Sequence, residues 1–191
     1  TAEAVRDGIA MAYVVPERFQ ELLTRAGELG ENRVLAGMHS PLDVIGGRLH
    51  GQAVATASLY SGINSSKRVA AATQARSTLM AAVGAATPTA FNAYAHSQSL
   101  SADRFADHAT NKANYRRTLT YGFTQVADTT KAAVVPKGAE VMLETRLPYL
   151  SADQRRVVLK TTALPSGYPV LDDAEGWGRL NLFDAADGYG A

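Results

Sequence analysis

The sequence predicts an all-α protein, a helical bundle forming one domain over residues 1–191. Apolar residues recur at three- and four-residue intervals, helix-start signals stand ahead of those runs, and no pair of alternating segments makes a convincing strand pairing.

The elements follow in order. Thr1-Ala2-Glu3 reads as a capped onset, so the first helix is expected over residues 2–14. Pro16 opens a second helix, from Glu17 to about Leu29, with Phe19, Leu22, Leu23 and Ala26 on one face and Gly30 as its stop. Ser40 followed by Pro41 is a hydroxyl cap ahead of proline at the first helical position. That helix runs to about Tyr60, with Leu42, Val44, Ile45 and Leu49 as its apolar stripe. Gly62-Ile63-Asn64-Ser65 breaks the chain, and Ser65 or Ser66 caps a helix to about Val83. Thr87-Pro88 starts another, through Tyr94 towards His96, and Ser101-Ala102-Asp103-Arg104 resembles a further start leading towards Tyr115.

Beyond Tyr121 the periodicity weakens. Short helices are expected at Glu140–Arg146 and, behind a Ser151 cap, at Ser151–Thr162. The stretch from Leu164 to Gly178, rich in Pro, Gly and Asp, should be irregular, and Leu180–Ala186 should form a last short helix.

Composition removes several function classes. A formal net charge of +1 gives no electrostatic footprint for nucleic acid. No uninterrupted apolar run reaches bilayer-spanning length, so no transmembrane segment is expected. The absence of cysteine excludes disulfides, thiolate catalysis and cysteine-based metal sites.

The segment carrying chemistry is Asn32-Arg33-Val34-Leu35-Ala36-Gly37-Met38-His39-Ser40-Pro41-Leu42-Asp43-Val44. It places a guanidinium, an imidazole and a carboxylate at R-x5-H-x3-D spacing around a helix start. Arg33 is a planar fork able to hold a tetrahedral oxyanion bidentately. His39 is the candidate nucleophile, and Asp43, inside the first turn, is placed to orient its ring and fix the tautomer. The positive end of the helix favours an anion nearby.

This segment resembles the third signature of the type 2 phosphatidic acid phosphatase superfamily, S-R-x5-H-x3-D. That superfamily embraces bacterial class A acid phosphatases, lipid phosphatases and vanadium-dependent haloperoxidases. Arg33, His39, Asp43 and Val44 match the pattern, and Asn32 stands where serine is usual. The resemblance implies a bundle of the acid phosphatase/haloperoxidase type and a phosphomonoester hydrolase acting through a phosphohistidine on His39. Asp43 would be its orienting partner and Arg33 a phosphate ligand. It implies no metal or other cofactor for the phosphatase, a small phosphorylated substrate, and a secreted, periplasmic or cell-surface bacterial location.

Two further signatures of the family, K-x6-R-P and P-S-G-H, do not occur. Pro165-Ser166-Gly167-Tyr168 has tyrosine in place of the acid histidine and reads as a turn, and the span from Lys137 to Arg146 has the wrong spacing. Thr1 would fit just after the second signature. The chain is therefore expected to be the C-terminal part of a longer phosphatase domain, whose upstream fragment is a partner supplying the acid. Alternatives are a haloperoxidase with vanadate bound at His39, and a non-catalytic helical module of a larger surface protein.

The remaining polar residues favour structural readings. His50 lies about three helical turns from His39, too far to share a phosphate. His96 and His108 are expected on solvated surface, and Lys112, Arg116 and Arg117 as a solvated basic face rather than an anion guide. Asp172, Asp173 and Glu175 suggest a carboxylate metal site by spacing only, and Trp177 reads as an aromatic plug anchoring the tail.

Overall fold

The computed structural model describes residues 1–61 and 65–188 and, of these, every side chain but that of Ser65. Residues 62–64 of the expected break lie outside this description, and Ser65 already belongs to a helix. Among the described residues the protein is all-helical, with eight α-helices and no strand. They are α1 (Ala2–Val14), α2 (Phe19–Leu35), α3 (Pro41–Tyr60), α4 (Ser65–Ala82), α5 (Pro88–Ala95), α6 (His108–Thr120), α7 (Ala152–Thr161) and α8 (Leu182–Ala185). Two 3-10 segments, Pro16–Arg18 and Ala139–Leu143, precede α2 and α7.

One core joins α1, α2, α3, α6, α7, α8 and the second 3-10 segment. Ile9, Phe19, Leu119, Met142, Leu159 and Phe183 are fully buried in it, each side chain stabilising by roughly 1.5–3 kcal/mol relative to exposure. Of the expected α2 face, Phe19, Leu23 and Ala26 are buried and Leu22 is packed against them.

The close approach of α1 to its neighbours depends on glycine. On α3, Gly47 and Gly51 lie one turn apart and face the start of α1. A Cβ on Gly51 would stand 2.7 Å from the Ala2 carbonyl oxygen and 2.7 Å from Val5 Cβ. Thr1 is the N-cap residue of α1 but makes no side-chain capping bond. Its side chain packs instead against Gly30 and Gly47.

Gly30 does not end α2, contrary to expectation; the helix continues to Leu35. A Cβ at Gly30 would lie 2.9 Å from Thr1 Cγ2 and 2.9 Å from Val44 Cγ1, so this glycine serves packing between helices. The stop is Gly37, left-handed at φ 67°. Its N–H donates to Val34 O and that of Met38 to Arg33 O, at 2.9 and 3.0 Å, a Schellman termination.

The start expected at Ser101–Arg104 is also displaced, because α6 begins at His108 behind an Asp107 cap. Asp103 Oδ1 accepts from Phe105 N at 2.9 Å while Oδ2 takes Arg18, which turns the chain locally instead of opening a helix. Of the segment expected at Glu140–Arg146, only Ala139–Leu143 is helical, as 3-10, and the last helix is confined to Leu182–Ala185 behind Asn181.

None of the described side chains of α4 is buried. Two arginines fasten it. Arg76 forms a two-bond ion pair with Glu17 and lies 5.3 Å over the Phe91 ring. Arg68 donates to Tyr13 Oη at 3.0 Å and pairs with Glu144 at 3.0 Å.

Candidate functional site

The site lies where α2 ends and α3 begins. The Arg33 carbonyl accepts from Met38 N at 3.0 Å and from His39 N at 3.2 Å. The arginine's own helix terminus thereby fixes the loop that presents the histidine. Ser40 and Asp43 then form a capping box: Asp43 N–H donates to Ser40 Oγ at 3.2 Å, and Ser40 N–H donates to Asp43 Oδ2 at 3.0 Å. These bonds hold the Asp43 carboxyl below the usual carboxylate range; the coulombic influence of His39 is a smaller contribution in the same direction.

His39 Nδ1 stands 3.8 Å from Asp43 Oδ2. That is ion-pair distance, longer than a direct hydrogen bond. The proximal nitrogen thus faces the carboxylate. Both side chains are open to solvent, 49% and 61% exposed. The structure brings His39 and Asp43 together but does not tie the Arg33 guanidinium to them: Arg33 is exposed and forms no ion pair or side-chain hydrogen bond among the described residues. The three residues occupy one short exposed ledge. Two concavities elsewhere bring charged side chains together. One of about 190 Å³ is lined by Glu28, Glu31, Arg104 and Arg117, and one of about 430 Å³ by Tyr13, Val69, Arg76 and Pro148.

His50 is exposed on α3. His96 and His108 lie on the solvated surface, as expected, 44% and 54% exposed, each with a carboxylate beside it: His96 Nδ1 is 3.6 Å from Glu21 and His108 Nε2 is 3.6 Å from Asp187. The basic cluster is neutralised within the fold: Arg116 pairs with Asp184 at 2.6 Å, Lys112 with Asp187 at 3.3 Å, and Arg117 with Glu31. No group of three metal-ligating side chains occurs among the described residues. The Asp173 carboxylate instead accepts backbone N–H bonds from Glu175, Gly176, Trp177 and Gly178, organising the loop before α8. Trp177 is half-buried against the core.

The Tyr13–Arg68–Glu144 group had no local signal in the sequence, because its members lie 55 and 131 residues apart from Tyr13 and meet only through tertiary packing. Burial, with the Glu144 hydrogen bond second, pushes the Tyr13 phenol up to about 12.

No helix among the described residues is long and apolar enough to cross a membrane. No family model matches the chain. Over 83 residues it is 40% identical to a protein named extracellular serine protease from Serratia marcescens, a match covering 42% of this chain and 8% of that protein. A second protein of that name and organism is 37% identical over 83 residues. Serotype-specific antigen 1 of Mannheimia haemolytica is 37% identical over 68 residues, 36% of this chain and 7% of that protein. The chain therefore matches less than a tenth of the length of each of these relatives. No solved structure matches it.

Proposed function

We propose that this chain carries the nucleophile and the phosphate-binding arginine of a metal-independent phosphomonoester hydrolase of the type 2 phosphatidic acid phosphatase kind. The observation that supports this reading best is the 3.8 Å approach of His39 Nδ1 to Asp43 Oδ2 beside the Arg33 helix end. With Nδ1 turned to the carboxylate, Nε2 is the nitrogen left with a lone pair for attack.

In the proposed reaction His39 Nε2 attacks phosphorus in line with the ester oxygen. The N–P bond forms as the P–O bond breaks, and the departing alcohol takes a proton from an acid upstream in the same precursor. Water then attacks the phosphohistidine, releasing inorganic phosphate and restoring the imidazole. Arg33 holds equatorial oxygens as charge shifts on them. Asp43 stabilises the ring as it becomes cationic. The substrate is a small phosphorylated molecule. A secreted, periplasmic or cell-surface location is supported by the printed names of the Serratia relatives.

The test joins this chain to its upstream segment and assays a generic aryl phosphate. Turnover should appear in the joined protein, be absent from residues 1–191 alone, and vanish in His39→Ala. Unchanged turnover in His39→Ala would instead favour a non-catalytic helical module. Halide oxidation that depends on added vanadate would replace the phosphatase reading with a haloperoxidase in which vanadate occupies the same anion position at His39.

A further inference from the structure

A second arginine, Arg48, lies one turn inward from the ledge and belongs to different chemistry. It is 6% exposed, and no carboxylate stands within ion-pair distance among the described residues. Its Nη1 and Nη2 donate only to carbonyls: Gly178 O at 3.0 Å, Leu180 O at 3.4 Å and Leu119 O at 3.5 Å. Its Nε is buried with no hydrogen-bond partner. A guanidinium does not lose its proton in a protein, so the fold holds a buried positive charge with no anion paired to it. Such a charge is strongly destabilising unless something compensates it.

Arg48 lines a cavity of about 20 Å³ between α1, α2, α3 and α6. Gln52 and Tyr121 line it too. Gln52 is 0% exposed, both of its amide atoms lack partners, and so does the buried Tyr121 hydroxyl. Three side chains that line this one small space therefore carry buried donors without a partner: the Arg48 Nε–H, the Gln52 amide N–H and the Tyr121 O–H. Val5, Leu23 and Val44 make the rest of its wall largely apolar. That volume accommodates one monatomic ion or one water and is too small for a tetrahedral phosphate or sulfate. Water would satisfy hydrogen bonds without bringing a counter-charge, and the Asp173 carboxylate acts on Arg48 only at coulombic range, against the larger effect of burial.

We propose that this cavity binds one halide ion, chloride under ordinary conditions, on Arg48, Gln52 and Tyr121, as a structural ion that stabilises the helix packing. The site is separate from His39 and stands or falls independently of the proposed activity.

The test uses the protein in sodium chloride, bromide and sulfate at matched ionic strength. Tm should rise saturably by about 3–6 °C with chloride or bromide over sulfate, as expected for a ligand binding only the folded state. Gln52→Leu should lose that halide-specific part while keeping the general salt response. Crystals grown in bromide should show an anomalous peak within hydrogen-bonding reach of Arg48 Nε; this readout needs no variant and decides the matter if Gln52→Leu does not fold. Identical Tm responses to halide and sulfate, with ordinary water and no anomalous peak in the cavity, would overturn the proposal.

Discussion

Gly51 and Gly46 both lie within α3, yet the packing gives Gly→Ala substitutions at the two positions opposite signs. At Gly46 a new Cβ meets nothing within 4 Å. Gly46→Ala therefore gains only the helix propensity of alanine over glycine, about 0.5–1 kcal/mol. At Gly51 the new Cβ would stand 2.7 Å from the Ala2 carbonyl oxygen, 2.7 Å from Val5 Cβ and 3.0 Å from Val5 Cγ1. Backbone and a β-branched core side chain cannot swing aside, so α1 itself must move. Overpacking of this kind costs about 1–3 kcal/mol. Subtracting the propensity gain leaves a net loss of up to about 2.5 kcal/mol, and about 2–4 °C of Tm per kcal/mol applies to a chain of this size. Thermal unfolding followed by circular dichroism should show Gly46→Ala rising by about 1–4 °C and Gly51→Ala falling by up to about 10 °C. If both variants rise together, α1 does not sit in the groove cut by Gly47 and Gly51.

Val170 has φ 57° at the third position of a turn closed by Leu171 N donating to Tyr168 O at 3.3 Å, behind Pro169. Glycine suits that position and a β-branched residue does not, so Val170→Gly should raise stability by about 1 kcal/mol in a denaturant titration. Burial is the leading cause pushing the phenols of Tyr13, Tyr115 and Tyr121 up to about 12. Their contribution is complete below the unfolded value of about 10 and is lost as pH rises towards the folded one. Tm should fall steeply between those limits, and Tyr13→Phe should flatten part of that fall. Glu17 behaves oppositely: burial, the largest single cause, acts to raise its carboxyl, but hydrogen bonds from Arg76 and the backbone, together with the charges of Arg76 and Arg146, outweigh it and hold the group below the ordinary value. Its contribution is present above the unfolded value and lost as pH falls through the folded one, so Glu17→Gln should reduce the acid-side loss of Tm.

How much of this was legible in the sequence follows from the range of the interactions. Caps are local, so Ser40-Pro41, Thr87-Pro88 and Ser151 marked α3, α5 and α7 from neighbouring residues alone. The nearness of His39 and Asp43 is local too, since residues four apart around a helix start share one face. Gly30 was misread as a stop because a helical glycine's role depends on what packs against it, here Thr1 and Val44. The Ser101–Arg104 start failed because Arg18, far away in sequence, engages Asp103. Arg48 and Gln52 hid on the buried face of α3, at four-residue steps from Val44. That register was readable, but charged and amide side chains do not register as core in an apolar pattern.

The ring tautomer of His39 tests the central claim most directly. Long-range proton–nitrogen correlation NMR, recorded at about pH 8 where an ordinary histidine is neutral, should place the proton on Nδ1, facing Asp43, with Nε2 bare. In Asp43→Asn the proton should shift towards Nε2. A wild-type ring already protonated on Nε2, and indifferent to Asp43→Asn, would mean that the carboxylate does not prepare this histidine for attack.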